Sequence, residues 1–361
     1  MATVGLASVS TSRVRIGAIG TGGIATTHFR NLATIAGVEL AAFCDVARDR
    51  AEAAAAKFNP GARVYTDYQA LLAARDLDAV YVAVPPFAHG DIEPAVVEAG
   101  LPMYVEKPVA LSLATAHHVQ HAIETKHALV CVGYHWRYTP AVERVQELLA
   151  DATIGLVYGY YTTRPPQGKG WLVLQERSGG QMVEQTTHIV DLARLVAGDV
   201  ATVYARFANR VTGPHPAFTA ADVGTATLQF ASGALGTISN CWLVPVNHLS
   251  GLQLWTDKGL IDFTQRSLTV RKDDETQDIP LPPPPPGVSG HYYADKAFVD
   301  AVRTGDRSLI RTPYDQAVKT LAVSLAAAES AATGEPVRLR MEPLRGRPGD
   351  HREQGALRPH A

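Results

Sequence analysis

Three cysteines in 361 residues leave little from which to build a disulfide framework or a zinc knuckle. Cys44, Cys131 and Cys241 are odd in number and far apart, which points to a reducing, cytoplasmic setting. Long apolar runs are missing as well, and with them any membrane helix. The start, "MATVGLASVSTSR", lacks a basic region ahead of an apolar stretch and reads as a loose leader, not a secretion signal. Nor does charge of one sign dominate: 33 Lys and Arg face 35 Asp and Glu. Such a balance gives no polyanion-binding surface, so no nucleic-acid partner is expected. What remains is a soluble globular chain long enough for two domains with sizeable cores.

From Val14 onward, short apolar runs alternate with longer alanine-rich amphipathic stretches. Strands are predicted at "VRIGAIG", "VELAAFCD", "DAVYVAV", "PMYVEK" and "ALVCVGY", with helices between them over 24–36, 88–100 and 113–127. Strands that are apolar throughout and alternate with helices imply a parallel sheet covered on both faces. After a helix at "TPAVERVQELLAD" the pattern changes. The runs "LVYGYYTT", "ATVYARFA", "GTATLQFA", "ALGTISNCWLV", "GLQLWTD" and "GLIDFT" follow one another with few helices between, as in an open, mostly antiparallel sheet. "PLPPPPPG" predicts an extended surface loop, and helices are expected near 293–304 and 313–333. The expected fold is α/β: a leader at 1–12, a Rossmann dinucleotide-binding domain at 13–134, an α/β substrate and oligomerisation domain at 135–342, and a mobile tail at 343–361.

Between the first strand and first helix, "GAIGTGGIATTH" fits G-x-G-x-x-A through Gly20, Gly22 and Ala25. Gly20 permits a tight turn. Gly22, with Gly23 and Ile24 opening the helix beside it, lets the backbone approach a pyrophosphate at the helix N-terminus. Asp45 closes the second strand, where a carboxylate accepts both ribose hydroxyls and repels a 2′-phosphate, favouring NAD over NADP. "PMYVEKPVALS" sets Glu106, Lys107 and Pro108 at the carboxyl end of a strand. A lysine there can orient a substrate hydroxyl and stabilise a developing alkoxide.

"GGQMVEQTTHIVD" places Glu184, His188 and Asp191 at i, i+4 and i+7, which on a helix share one face. By itself this spacing fits half a metal site, a proton relay or a plain amphipathic helix. It supplies only two of the three protein ligands a zinc site needs, so no metal is expected. Asp191 is expected to cap or brace the helix, and Gly198 to stop it.

In order along the chain, "RIGAIGTGGIATTH", "DAVYVAVPPFAHGDIEPAVVEAGLPMYVEKPVALS", "VGYHWRYTP", "SGGQMVEQTTHIVDLARLVAG" and "AAAESAATGEPVRL" resemble the Gfo/Idh/MocA family of NAD(P)-dependent oxidoreductases. The family includes glucose–fructose oxidoreductase and inositol dehydrogenase. The resemblance implies that Val84, Pro85 and His89 flank the nicotinamide ribose and that Glu106 and Lys107 form the cofactor and catalytic turn. It further implies that Arg137 lies near the nicotinamide and that His188 is the catalytic histidine. Many members carry an aspartate where this chain has Glu184.

The relay is then the favoured use of the helix: His188 as general acid/base, Lys107 orienting the hydroxyl, and Glu184 holding the imidazole tautomer or a substrate hydroxyl. Trp136, Tyr161 and Trp171 are candidate sugar-stacking aromatics. Arg164, Lys169 and Arg177 are candidates for an acidic substituent, and His291 and Tyr292 for reaching the site. His28 is expected to pack or cap, and His117, His118 and His121 to be solvated. The expected activity is NAD-dependent oxidoreduction of a secondary alcohol of a sugar, cyclitol or sugar derivative, by a homodimer or homotetramer. An NAD-dependent glycosidase or lyase using transient ring oxidation is the alternative, and a non-catalytic sugar or NAD sensor ranks last.

Overall fold

The structure, a computed structural model, describes residues 13–166, 170–211, 217–243 and 249–340. The leader expected at 1–12, the tail expected at 343–361 and Lys169 lie outside the described residues.

In the first half, β1 (Val14–Ile19), β2 (Val38–Cys44), β3 (Arg63–Tyr65), β4 (Ala79–Val82), β5 (Met103–Val105) and β6 (Val130–Val132) form one sheet. Every pair is parallel, in the order β3-β2-β1-β4-β5-β6. β4, β5 and β6 are buried throughout, as strands covered by helices on both faces must be. The edge strand β3 was not expected: three half-buried residues carry too little pattern to read. The helix expected over 88–100 is shorter, Ile92–Glu98, because Gly90 sits at φ +127° between it and the turn Pro86–Ala88. Strand order reverses between β1 and β4, so a crevice opens at their carboxyl ends, where sheets of this kind bind ligands. Gly20 (φ +90°) lets the two turns pass there: a Cβ would stand 2.4 Å from the Ala83 carbonyl oxygen.

The second sheet has nine strands: β7 (Ile154–Thr162), β8 (Val200–Ala208), β9 (Val223–Phe230), β10 (Leu235–Cys241), β11 (Leu249–Thr256), β12 (Gly259–Phe263), β13 (Leu268–Lys272), β14 (Glu275–Asp278) and β15 (Val337–Arg338). Their order is β14-β13-β12-β11-β7-β10-β9-β8-β15, with β7 and β10 parallel and the other pairs antiparallel. β13 to β15 extend the expected set with short, polar, edge-type segments. On β9, Ala226, Leu228 and Phe230 point inward while Thr225, Thr227 and Gln229 point out, the alternation of a sheet covered on one face. The covered face packs against helices Thr187–Ala197 and Tyr314–Thr333. Among the described residues, no helix is long and apolar enough to cross a membrane.

The segment bearing Glu184 and His188 departs from expectation. It is two helices, Gln181–Glu184 and Thr187–Ala197, not one. The Thr186 N–H reaches back five residues to the Gln181 carbonyl (2.9 Å), and the His188 N–H turns to Gln185 (3.3 Å). This wide turn is held from the side. Trp242 Nε1 donates to Gln185 Oε1 (2.8 Å), and Asn240 Nδ2 to Gln181 Oε1 (2.8 Å). Glu184 and His188 therefore do not share a face by helical spacing; the break places them. Gly198 (φ +92°) does end the second helix.

Candidate active site

At the crevice, Gly22 caps the helix Gly23–Leu32. A Cβ at Gly22 or Gly23 would meet nothing within 4 Å, so these residues are not small to make room for protein. The backbone faces open space, with Ile24 half-buried beside it and no acidic residue in the first turn. The unpaired N–H groups of such a turn suit a pyrophosphate, so the residues present fit a dinucleotide. Asp45 closes β2 with a second task. Its Oδ2 accepts from the Thr21 N–H (3.0 Å) and hydroxyl (2.9 Å), and its Oδ1 from the Ala47 N–H (3.0 Å). The carboxylate thus braces the glycine turn. Val84 and Pro85, half-buried after β4, form the opposite lip.

Lys107 leaves β5 toward the broken helix. Its Nζ donates to the Glu184 carbonyl oxygen (2.7 Å) and to Glu184 Oε1 (3.2 Å). In an unbroken helix that carbonyl would accept from His188. The interruption frees it for the lysine, which no sequence spacing reveals. Glu106 is buried behind the turn, its Oε2 accepting from the Lys107 N–H (3.2 Å). A Cβ on Gly133 would strike its carboxylate, so glycine there keeps room for the acid.

His188 opens the second helix, buried between two rings supplied by the end of the first half. Tyr134 meets it edge-on at 5.9 Å and His135 at 4.9 Å. The Tyr134 hydroxyl bonds Thr187 Oγ1 (2.9 Å), and His135 stacks on His291 at 3.5 Å. Gln265 Nε2 lies 3.1 Å from His135 Nε2. Burial pushes the His135 imidazole well below its usual range, with the charges of its neighbours adding to the effect. In "GYHWRYTP" the residues that reach His188 are Tyr134 and His135, not the expected Trp136 and Arg137. His291 arrives through His135.

Three expected site residues are engaged in buried contacts within the protein. The His89 imidazole is buried, its Nδ1 2.5 Å from Glu93 Oε1. Arg137 makes a buried two-bond pair with Asp191 (2.7 Å each). A planar guanidinium matched to a carboxylate in this way is committed to structure. Asp191 also accepts from Thr320 Oγ1 (3.0 Å), the bracing role expected of it. Trp136 lies in the core under the second sheet and offers no face to a sugar. Tyr161 is buried near Glu184, and burial followed by that charge pushes its phenol up. Trp171 stays half-exposed and meets Phe87 edge-on at 6.4 Å, with Arg177 4.9 Å above the Phe87 ring. That trio joins the loop after β4 to the segment before the broken helix. His117, His118 and His121 are exposed on helix Leu113–Lys126. Among the described residues, no group of three His, Cys, Asp or Glu side chains is arranged to hold a metal.

Comparison with known proteins bears on the family and the fold. Residues 14–134 match the oxidoreductase family profile with an NAD-binding Rossmann fold, and residues 142–262 match the GFO/IDH/MocA C-terminal domain. The myo-inositol 2-dehydrogenase of Thermotoga maritima is 29% identical over 269 residues, 73% of this chain and 80% of that protein. The D-apiose dehydrogenase of Paraburkholderia graminis is 31% identical over 226 residues, 61% of this chain and 58% of that one. In fold, the chain is similar to an oxidoreductase from Agrobacterium radiobacter crystallised with NAD+, L-tartaric acid and magnesium. The TM-score is 0.80 at 23% identity, covering 91% of this chain and 98% of that structure.

Proposed function

The chain belongs to the Gfo/Idh/MocA family of NAD-binding oxidoreductases, and from that premise we propose the mechanism by which it acts: His188 as general acid/base, Lys107 as the group that orients the reacting hydroxyl. It is a dehydrogenase acting on CH–OH groups, with NAD as cofactor and sugar or cyclitol alcohols as the substrate class. The relatives named for inositol and apiose oxidation support a sugar, cyclitol or sugar derivative bearing a secondary alcohol.

Gly20, Gly22, Gly23, Ile24 and Asp45 would hold the dinucleotide, and Val84 and Pro85 would line its nicotinamide end. Bound NAD supplies the acceptor for the hydride of the carbinol carbon. The Lys107 ammonium draws the substrate hydroxyl into place and stabilises the negative charge growing on its oxygen. The His188 imidazole takes the hydroxyl proton, the general-base role that histidine most often fills. Glu184 fixes the lysine through both its carbonyl and its carboxylate. The observation that carries this reading is the 2.7 Å contact of Lys107 with the Glu184 carbonyl, which the break ahead of His188 frees. The experiment is a screen of sugars and cyclitols with NAD or NADP, following absorbance of the reduced cofactor. Steady accumulation of NADH supports a dehydrogenase; turnover without accumulation moves the reading to a redox-cycling glycosidase or lyase.

A second copy of this chain is the proposed partner, as a homodimer or homotetramer. The uncovered sheet face carries Tyr158, Leu235 and Trp255, 42, 53 and 47% exposed, and apolar residues gathered on one face mark an interaction surface. The thiols Cys44 and Cys131, both buried and unpaired in disulfides, fit the cytoplasm as the proposed compartment.

A further inference from the structure

His28, expected only to pack or cap, is fully buried on the helix after the glycine turn. Its Nδ1 stands 2.6 Å from Asp295 Oδ1 and its Nε2 3.0 Å from Glu106 Oε1. An imidazole donates from both nitrogens only when doubly protonated, so a ring between two carboxylates is a buried cation. Asp295 comes from the distant helix Tyr292–Thr304. It also accepts from Asn31 Nδ2 (2.7 Å) and from the Tyr81 hydroxyl (3.2 Å). Glu106 passes on to the Lys107 N–H, and Lys107 to Glu184. Charges therefore alternate along one line: Asp295, His28, Glu106, Lys107, Glu184. Each buried charge has an opposite one beside it, which is what makes such burial tolerable.

The remaining titratable neighbours of His28 are Tyr81, Tyr104 and His291, with ring centroids 5.5, 5.0 and 5.5 Å away. Burial pushes both phenols up and pushes His291 down to about 4, so all three stay neutral. Burial also pulls His28 down, but Asp295 and then Glu106 outweigh it and hold the imidazole at about 10.

We propose that Asp295 and His28 are positioning residues for Lys107: the Asp295–His28 bridge keeps Glu106 ionised behind the lysine turn and so ties the helix Tyr292–Thr304 to the hydride-transfer site. The inference rests on the role given above to Lys107 and reaches past it, because Asp295 touches no reacting group.

The test uses the full chain with 15N-labelled histidine. In the native protein the His28 ring keeps both protons to about pH 9. In Asp295→Asn it loses one at least about one pH unit lower. In that variant kcat for alcohol oxidation falls on the order of ten- to a hundredfold, while KM for the alcohol moves less than about threefold. Its kcat gains a pH dependence with the midpoint of the His28 titration, and Asp295→Glu restores both signals. A native His28 carrying one proton at neutral pH overturns the bridge without any variant. A folded Asp295→Asn chain with native kcat overturns the positioning. The functional reading fails separately, if the native chain reduces NAD with no sugar alcohol. The imidazole titration needs no substrate and still decides the bridge.

Discussion

Lys107 donates to the main-chain carbonyl of Glu184 at 2.7 Å and to its carboxylate at 3.2 Å. The shorter contact survives any side-chain change at 184, so the two residues are separable. Lys107→Ala should lower kcat by about a hundred- to a thousandfold, as loss of a positioned donor does. Glu184→Gln keeps the carbonyl contact and should lose only about tenfold. Glu184→Asp withdraws the carboxylate by about one carbon–carbon bond and should redistribute kcat/KM among sugars and cyclitols. Steady-state rates across the substrate panel decide these three. Equal losses in Lys107→Ala and Glu184→Gln would mean that the carboxylate, not the carbonyl, holds the lysine.

Asp45 braces Thr21 and is the proposed partner of the ribose. Asp45→Ser should cut the preference for NAD over NADP, as a ratio of kcat/KM values, by about tenfold or more, because the charge that repels a 2′-phosphate is gone. An unchanged ratio would leave Asp45 a brace alone.

Arg137 and Asp191 make a buried two-bond pair. Arg137→Ala leaves Asp191 buried beside Thr320 without its cation and should lower the unfolding free energy by about 3–5 kcal/mol in urea titrations. Affinity for NAD should change little. A weakened cofactor with unaltered stability would return Arg137 to the nicotinamide, where the family resemblance had put it.

Stability should fall on the alkaline side. The folded-state pKa of His28 is raised from 6.5 to about 10 by Asp295 and Glu106 against burial, so its contribution is whole below about 6.5 and lost as pH rises toward about 10. His291 works in the opposite sense. Burial lowers it to about 4, so its contribution is whole above 6.5 and lost as pH falls toward 4. Thermal unfolding midpoints between pH 7 and 10 should decline in the native chain and decline less in His28→Gln. Parallel curves would remove His28 from the account.

The uncovered face of the second sheet should be the contact between copies. Trp255→Glu combined with Tyr158→Glu puts like, unpaired charge into that face and should shift the sedimentation coefficient toward the monomer. A native chain that sediments as a monomer refutes the interface outright.

Much of this protein was legible in its sequence, because periodicity and turn chemistry are local. Continuously apolar strands between alanine-rich helices meant a covered parallel sheet, and Gly20 with Asp45 marked where its ligand edge lies. Burial across β4 to β6 and the Gly20–Ala83 approach are the structural counterparts of those signals. Glu184 and His188 were also legible as a pair, though for a reason the structure replaces: continuous helical spacing would have spent the Glu184 carbonyl on His188. That carbonyl is free because Trp242 and Asn240, more than fifty residues later, hold Gln185 and Gln181 in a wide turn. Arg137, His89 and Trp136 sat in the right motifs but face partners that their own segments do not announce. One meets Asp191, one Glu93, and one the core. Asp295 and His28 lie 267 positions apart and meet only when the helix Tyr292–Thr304 returns to the first sheet. The sequence determined which backbone elements form and where a dinucleotide can approach. Only the tertiary structure decided which polar groups neutralise one another, since a buried charge takes the partner that space supplies, whatever its distance along the chain.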